Sequence, residues 1–179
     1  MNISKLFWAL NYLTFYLLWC LCVWGASQDQ QAIPLIAVIL YLIIHLAFVS
    51  RKPLRETLLI VVVTALGCLN ESILAYFQIV LYRDAFFLGV AWWTICLYAC
   101  FATTLWYSFS WLLRRPLLAT FLGATAMPIC YLGIAHARAI SFPLGEVIAF
   151  AVVGLQYAIL VPLLAHIGLM FQSVSMRKI

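Results

Sequence analysis

RKPLRETLLIVVVTALGCLNESILAYFQIVLYRD, residues 51–84, reads as two charged borders around one long apolar run, with a single acid inside it. Arg51, Lys52, Arg55 and Glu56 form the first border, and Tyr82-Arg83-Asp84 form the second. From Thr57 to Leu81 the run has the length of a spanning helix, which needs about 20 apolar residues. Glu71 lies deep within it, in Gly67-Cys68-Leu69-Asn70-Glu71-Ser72. A carboxylate in hydrocarbon is costly unless it is protonated, paired or wetted, so an acid placed there marks a functional site. The same pattern of charged borders recurs along the whole chain.

Hydrophobic residues make up 68% of the 179 and charged ones 8%. Soluble domains carry roughly 25% charged residues, so this composition belongs to an all-α integral membrane protein. The net charge of +5 comes from short basic clusters beside apolar runs. It is therefore a topology signal and excludes a nucleic-acid partner. Cys20, Cys22, Cys68, Cys96, Cys100 and Cys130 all lie inside apolar runs, where free cysteine acts as a small hydrophobe. No spacing of Cys and His suits a metal, and no motif calls for a cofactor. The first run, Leu6 to Ala26, is too long for a secretory signal and lacks an Ala-x-Ala site, so it reads as a retained span.

Six spans follow, at about 6–26, 32–50, 57–81, 86–113, 117–136 and 144–171, in one domain covering 1–179. The positive-inside rule places both termini in the cytoplasm. Lys5, the Arg51-Lys52 and Arg55 cluster, Arg114, Arg115, Arg177 and Lys178 then fall inside, leaving Arg83 and Arg138 outside.

Fourteen residues separate Thr57 from Glu71, about 21 Å along a helix, which puts the acid past the midplane toward the outside. Thr64, Gly67, Ala75 and Gln78 share its helical stripe. Glu71 is either a protonated hydrogen-bonding link between helices or a proton-transferring, ligand-anchoring group. Tyr131, His136, Arg138 and Glu146 come from neighbouring outer ends and together could form an outward pocket with Glu71; taken singly, His136, Arg138 and Glu146 read rather as ordinary interfacial residues in water. A second polar group, Asn11, His45, Thr103, Thr104, Ser108 and His166, lies toward the cytoplasm. Its hydroxyls and imidazoles fit either a site or simple helix adhesion. Gly123-Ala124-Thr125-Ala126 permits close helix packing.

The segment Phe101-Ala102-Thr103-Thr104-Leu105-Trp106-Tyr107-Ser108-Phe109-Ser110-Trp111-Leu112 resembles the best-marked stretch of an uncharacterised bacterial inner-membrane family, domain of unknown function 2878. Pro128-Ile129-Cys130-Tyr131-Leu132-Gly133 with Phe142-Pro143 is similar to its second marked stretch, and Asn11 with Trp19 to Ala26 to its first helix. Where that family tends to carry Asp-Ser in the third helix, this chain has Asn70-Glu71-Ser72. The resemblance implies a small helical protein of the bacterial inner membrane, with a site near Glu71, Thr103, Thr104 and Tyr131. It implies no activity.

The leading functional expectation is a protein that binds or transports a lipid, isoprenoid or other amphipathic small molecule. Its pocket would draw on Asn70, Glu71, Gln78, Thr103, Thr104, Tyr131, His136 and Arg138. The alternatives are an intramembrane enzyme acting on a lipid or polyprenyl chain, with Glu71 as catalytic acid, and a scaffold subunit. Expected partners are a membrane lipid or apolar small molecule, and a second copy or a partner membrane subunit.

Overall fold

The computed structural model describes residues 3–173, so Arg177 and Lys178 lie outside the described residues. The polypeptide forms helices α1 (Ile3–Ser27), α2 (Ala32–Ile44), α3 (Pro53–Tyr76), α4 (Trp92–Thr104), α5 (Pro116–His136) and α6 (Glu146–Ser173). A π-helical turn, His45–Val49, ends α2. Four short strands sit in the loops at one end: β1 (Leu81–Tyr82), β2 (Ala85–Phe87), β3 (Val90–Ala91) and β4 (Ile140–Ser141). Strand β1 pairs antiparallel with β4, and β2 with β3.

Two helices begin alike. Pro53 and Pro116 each occupy the first turn directly after a basic residue, Lys52 or Arg115. Proline suits that position because its missing N–H would have no partner there and its φ is already helical. Helix α3 therefore starts four residues before the predicted Thr57 and takes Glu56 into its first turn. Its end also differs. The predicted run to Leu81 stops at Tyr76, because Gln78 adopts φ +55° and the Ile79 N–H turns back to the Leu74 carbonyl. That is a left-handed helix stop.

The fourth predicted span, 86–113, is divided. Its first residues form the β2–β3 hairpin, which turns through Leu88 (φ +51°) and Gly89 (φ +77°). Helix α4 itself has thirteen residues, about 20 Å. Beyond it, 105–114 run in tight turns with Tyr107 N–H on Thr104 O, Ser110 N–H on Tyr107 O and Leu112 N–H on Phe109 O. The cause lies in the hydroxyls. Thr103, Thr104 and Ser110 each donate to the carbonyl three residues back, at 2.7, 2.6 and 2.7 Å. Such local bonds compete with the α-helical ladder. Among the described residues five helical stretches are long and apolar enough to cross a membrane: α1, α2 together with its π turn to Val49, α3, α5 and α6.

Helix α4 is the buried centre, packing on α3, α1 and α2, while α5 lies along α6 and α3 touches α6. At Gly123 an added Cβ would stand 2.1 Å from the Tyr157 carbonyl oxygen. The bare glycine lets α5 and α6 meet backbone to backbone, as the small-residue stretch predicts. Large apolar side chains face outward along the long helices, among them Phe7, Ile43, Val61, Leu117, Leu155 and Ile159. A belt of that kind suits lipid better than water.

Gln78 tests the helix stop. A non-glycine residue in the left-handed region carries a steric cost that glycine avoids. Gln78→Gly is expected to raise stability by about 0.5–1 kcal/mol, read as a higher midpoint in a denaturant titration of the detergent-solubilised protein.

Candidate functional site

Glu71 is fully buried on α3, about 8 Å along the helix from its end at Tyr76. Four tyrosine hydroxyls converge on its carboxyl, each from a different element. Tyr98 of α4 donates to Oε1 at 2.6 Å, and Tyr157 of α6 donates to the same oxygen. Tyr82 of β1 and Tyr131 of α5 donate to Oε2. The neighbouring Asn70 amide adds a bond to Oε1 at 3.3 Å. Tyr157 Oη also lies 2.6 Å from Tyr98 Oη and 2.9 Å from Tyr131 Oη. All four tyrosines are buried.

Each ring is brought there by a specific allowance in the packing. Gly67 sits one turn below Glu71, and a Cβ on it would fall 2.3 Å from the Tyr98 ring. The missing side chain is what lets that ring lie across α3. Close contact of α5 and α6 at Gly123 sets Tyr131 and Tyr157 side by side, with ring centroids 5.8 Å apart. Tyr82 reaches inward from the loop, its ring leaning on Trp93 at 5.8 Å. Burial, reinforced by the facing Glu71, holds the Tyr82 phenol well above its ordinary pKa, so it stays a donor.

The proton count defines what this cluster can do. Six close oxygen–oxygen contacts join four hydroxyls and one carboxyl. Each hydroxyl supplies one proton. With Glu71 ionised, all four protons point at the carboxylate, and the two tyrosine–tyrosine contacts hold none. A fifth proton, on the carboxyl, fills one more contact without moving a heavy atom. The contact geometry therefore accommodates either count of protons, in a region shut off from water. Charge-assisted bonds of this type offset the desolvation of the ionised form.

A second buried acid lies at the other end of the bundle. Glu56 and His45 are both almost fully buried, with His45 Nε2 2.6 Å from Glu56 Oε1. Tyr107 donates to Glu56 Oε2 at 3.3 Å, and its ring stands edge-on to His45. The π turn begins at His45; an extra residue in a helical turn re-aims the side chains around it. Beside this pair, Tyr41 Oη lies 2.8 Å from Thr103 Oγ1 and accepts from Asn11 at 3.3 Å. Asn11 Oδ1 in turn accepts from Ser108.

A family model described as "Protein of unknown function (DUF2878)" matches residues 8–163, most of the chain. The chain belongs to the DUF2878 family. No curated protein and no solved structure matches it.

In this DUF2878 chain the residues predicted from sequence fall into three groups. Asn70, Glu71 and Tyr131 meet in the tyrosine cluster. Thr103 and Thr104 are buried at the far side of α4, with Thr103 in the Tyr41 network and Thr104 bonded to its own backbone. Gln78, His136 and Arg138 are exposed and reach neither cluster. Gln78 lies on the turn beyond α3, and His136 Nδ1 faces the Leu132 carbonyl of its own helix at 2.7 Å. Glu146 and His166 are exposed too. Reasoning from sequence missed Tyr82, Tyr98 and Tyr157 as partners of the acid, and Glu56 as a buried group. The usable signal was chemical: a tyrosine buried in an apolar run needs a partner for its hydroxyl, which phenylalanine does not. Among the described residues no three His, Cys, Asp or Glu side chains group as metal ligands.

Gly67 supplies the test of this construction. Gly67→Ala is expected to push the Tyr98 ring off Glu71 and to destabilise the protein by about 1–3 kcal/mol. In a Tyr98→Ala background the same change is expected to cost much less. Stabilities of the four proteins in a double-mutant cycle check this.

Proposed function

We propose that this protein binds and moves an amphipathic small molecule of the membrane, a lipid or isoprenoid, with the Glu71 cluster as its proton-exchanging polar site. One observation carries the reading. Tyr82, whose hydroxyl closes the cluster, also walls an open cleft of about 490 Å³. Ser72, Ile73, Tyr76, Phe77, Leu81 and Leu88 line the same cleft. Ligand sites of roughly 300–1,000 Å³ with apolar walls and few polar groups are the common kind. Among the four donors Tyr82 alone stands on a loop strand; the others are fixed on helices. Displacing its hydroxyl exposes Glu71 Oε2 to whatever occupies the cleft. The carboxyl then takes up a proton, or accepts a bond from the ligand, in place of the lost donor.

The same link supports a second reading, an intramembrane enzyme on a lipid or polyprenyl chain. A carboxylic acid beside an apolar cleft is a general acid in position, and protonating a double bond needs no metal. Binding remains the first reading, because Glu71 is screened from the cleft by Tyr82 and makes no direct contact with it. Thr103, Thr104, His136 and Arg138 take no part in the proton exchange.

The proposed setting is the inner membrane of a bacterium, crossed six times, with both termini cytoplasmic. The fourth crossing is α4 continued by the turns to Arg114. Charge distribution supports this. Contacts of Tyr107 with Val49 and Glu56 gather the basic loops at Arg51–Arg55 and Arg114–Arg115 at one end. The Arg83–Asp29 bond and the β1–β4 pair gather the poorly basic loops at the other. Reporter fusions after Gln30 and Arg83 are expected to read as periplasmic, and those after Lys52 and Arg115 as cytoplasmic.

The function itself is tested by native mass spectrometry of protein gently extracted from its own membrane. A specific lipid or isoprenoid is expected on the wild type and absent from Glu71→Gln. Bulk phospholipid alone, unchanged by the substitution, would reduce Glu71 to a link between helices and overturn the proposal.

A further inference from the structure

The loops at the Arg83 end carry two basic residues, Arg83 and Arg138, and the fold brings them to one place. Strand pairing sets Leu81 opposite Ser141 and Tyr82 opposite Ile140. The Arg83 N–H then bonds the Ala139 carbonyl at 3.1 Å. Both arginines line a second open cleft of about 400 Å³, together with Leu81, Tyr82, Ile140 and Ser141. Leu81 and Tyr82 also wall the apolar cleft described above. A cationic cleft and an apolar one thus share a two-residue wall.

The two arginines of the cleft differ in their partners. Arg83 is engaged by Asp29 Oδ2 at 2.8 Å and by the Ser27 carbonyl at 3.2 Å. Arg138 makes no ion pair among the described residues and is exposed. Asp84 and Glu146 also lie at this end, but neither lines the cleft or pairs with Arg138, so Arg138 is the guanidinium there without a carboxylate partner among the described residues. Arg138 also holds a costly conformation, φ +62°, at the stop of α5, where Arg138 N–H bonds Ala135 O and Ala139 N–H bonds Ile134 O. Glycine is the residue that suits such a stop. An arginine in its place spends stability to put a cation at the cleft.

We infer that the paired clefts bind one class of ligand: an outer-leaflet membrane lipid with a singly charged phosphodiester headgroup. The phosphate lies against Arg138, with Arg83 beside it, and guanidinium groups meet phosphate oxygens through paired N–H donors. The acyl chains run over Leu81 and Tyr82 into the cleft of Ile73, Tyr76, Phe77 and Leu88. This inference rests on the binding function proposed above and names the ligand class. It also gives that function a trigger, since a lipid seated across Tyr82 presses on the residue that closes the Glu71 cluster.

Arg138→Gly is the informative variant, because glycine is at home at that φ and the change removes the cation without straining the backbone. Delipidated protein would be titrated with phosphatidylglycerol and with diacylglycerol of identical chains, and complexes counted by native mass spectrometry. Wild type is expected to prefer phosphatidylglycerol, and Arg138→Gly to bind it about tenfold more weakly. Diacylglycerol binding should be equal in the two. Arg114→Gln, at the opposite end, is expected to behave as wild type, which separates the site from general attraction between anionic lipid and a basic protein. Equal phosphatidylglycerol affinity in Arg138→Gly and wild type would overturn the headgroup site. Glycerol phosphate competing as well as the whole lipid would overturn the assignment to a lipid. If neither lipid forms a complex with wild type at any concentration of the titration, the broader binding function fails with it. Lipid binding that depends on Glu71 but not on Arg138 removes the headgroup site alone.

Discussion

The folded chain is organised around one desolvated carboxyl. Glu71 has no exposure to solvent, and an unpartnered charge or carboxyl at such a position is strongly unfavourable. Its donors come from β1, α4, α5 and α6. Any change in the rotation of α4, the separation of α5 and α6, or the path of the loop into β1 therefore removes a hydrogen bond from the same two oxygens. The penalty is concentrated at one point, and that point fixes the relative positions of four elements. Glycine at 67 and at 123 permits these approaches at the closest contacts, where a single methyl group has no room.

The opposite end is fixed by related chemistry on different elements. His45, Glu56 and Tyr107 connect the end of α2, the start of α3 and the turns after α4, and Asn11 brings in α1 through Tyr41 and Ser108. The bundle thus has a polar knot at each end and an apolar middle. In a membrane, where apolar packing alone discriminates poorly between helix arrangements, such polar contacts give specificity.

Much of this was readable from the residues. Apolar run lengths and charged borders locate five long helices to within a few residues, because hydrocarbon thickness and charge cost act on every residue of a span alike. Glu71 is legible as an exception to that same rule. Its partners are not, since Tyr98 and Tyr157 lie in runs of aromatic and aliphatic residues where a tyrosine reads as a bulky wall. Glu56 was hidden by its neighbours: four residues from Lys52 it looks like a loop charge, and only the helix start at Pro53 turns it inward. The broken fourth helix was hidden as well. Hydropathy does not distinguish an apolar helix from apolar turns, and the hydroxyls of Thr103, Thr104 and Ser110 decide between them locally. Arg138 was legible as a residue, but its companion in the cleft was not, because two-residue strands carry no periodicity.

Chain order gives the tyrosine cluster a history as well as a shape. Tyr82 follows Glu71 by 11 residues, Tyr98 by 27, Tyr131 by 60 and Tyr157 by 86. At synthesis speeds of about 5–20 residues per second, the last donor is made on the order of ten seconds after the acid. Through that interval the third helix holds an acid whose ring of hydroxyls is still incomplete. The buried carboxyl thus gains its full set of hydroxyl donors only when α6 brings Tyr157 to it, so the order of synthesis leaves the central contact of the bundle to be completed last.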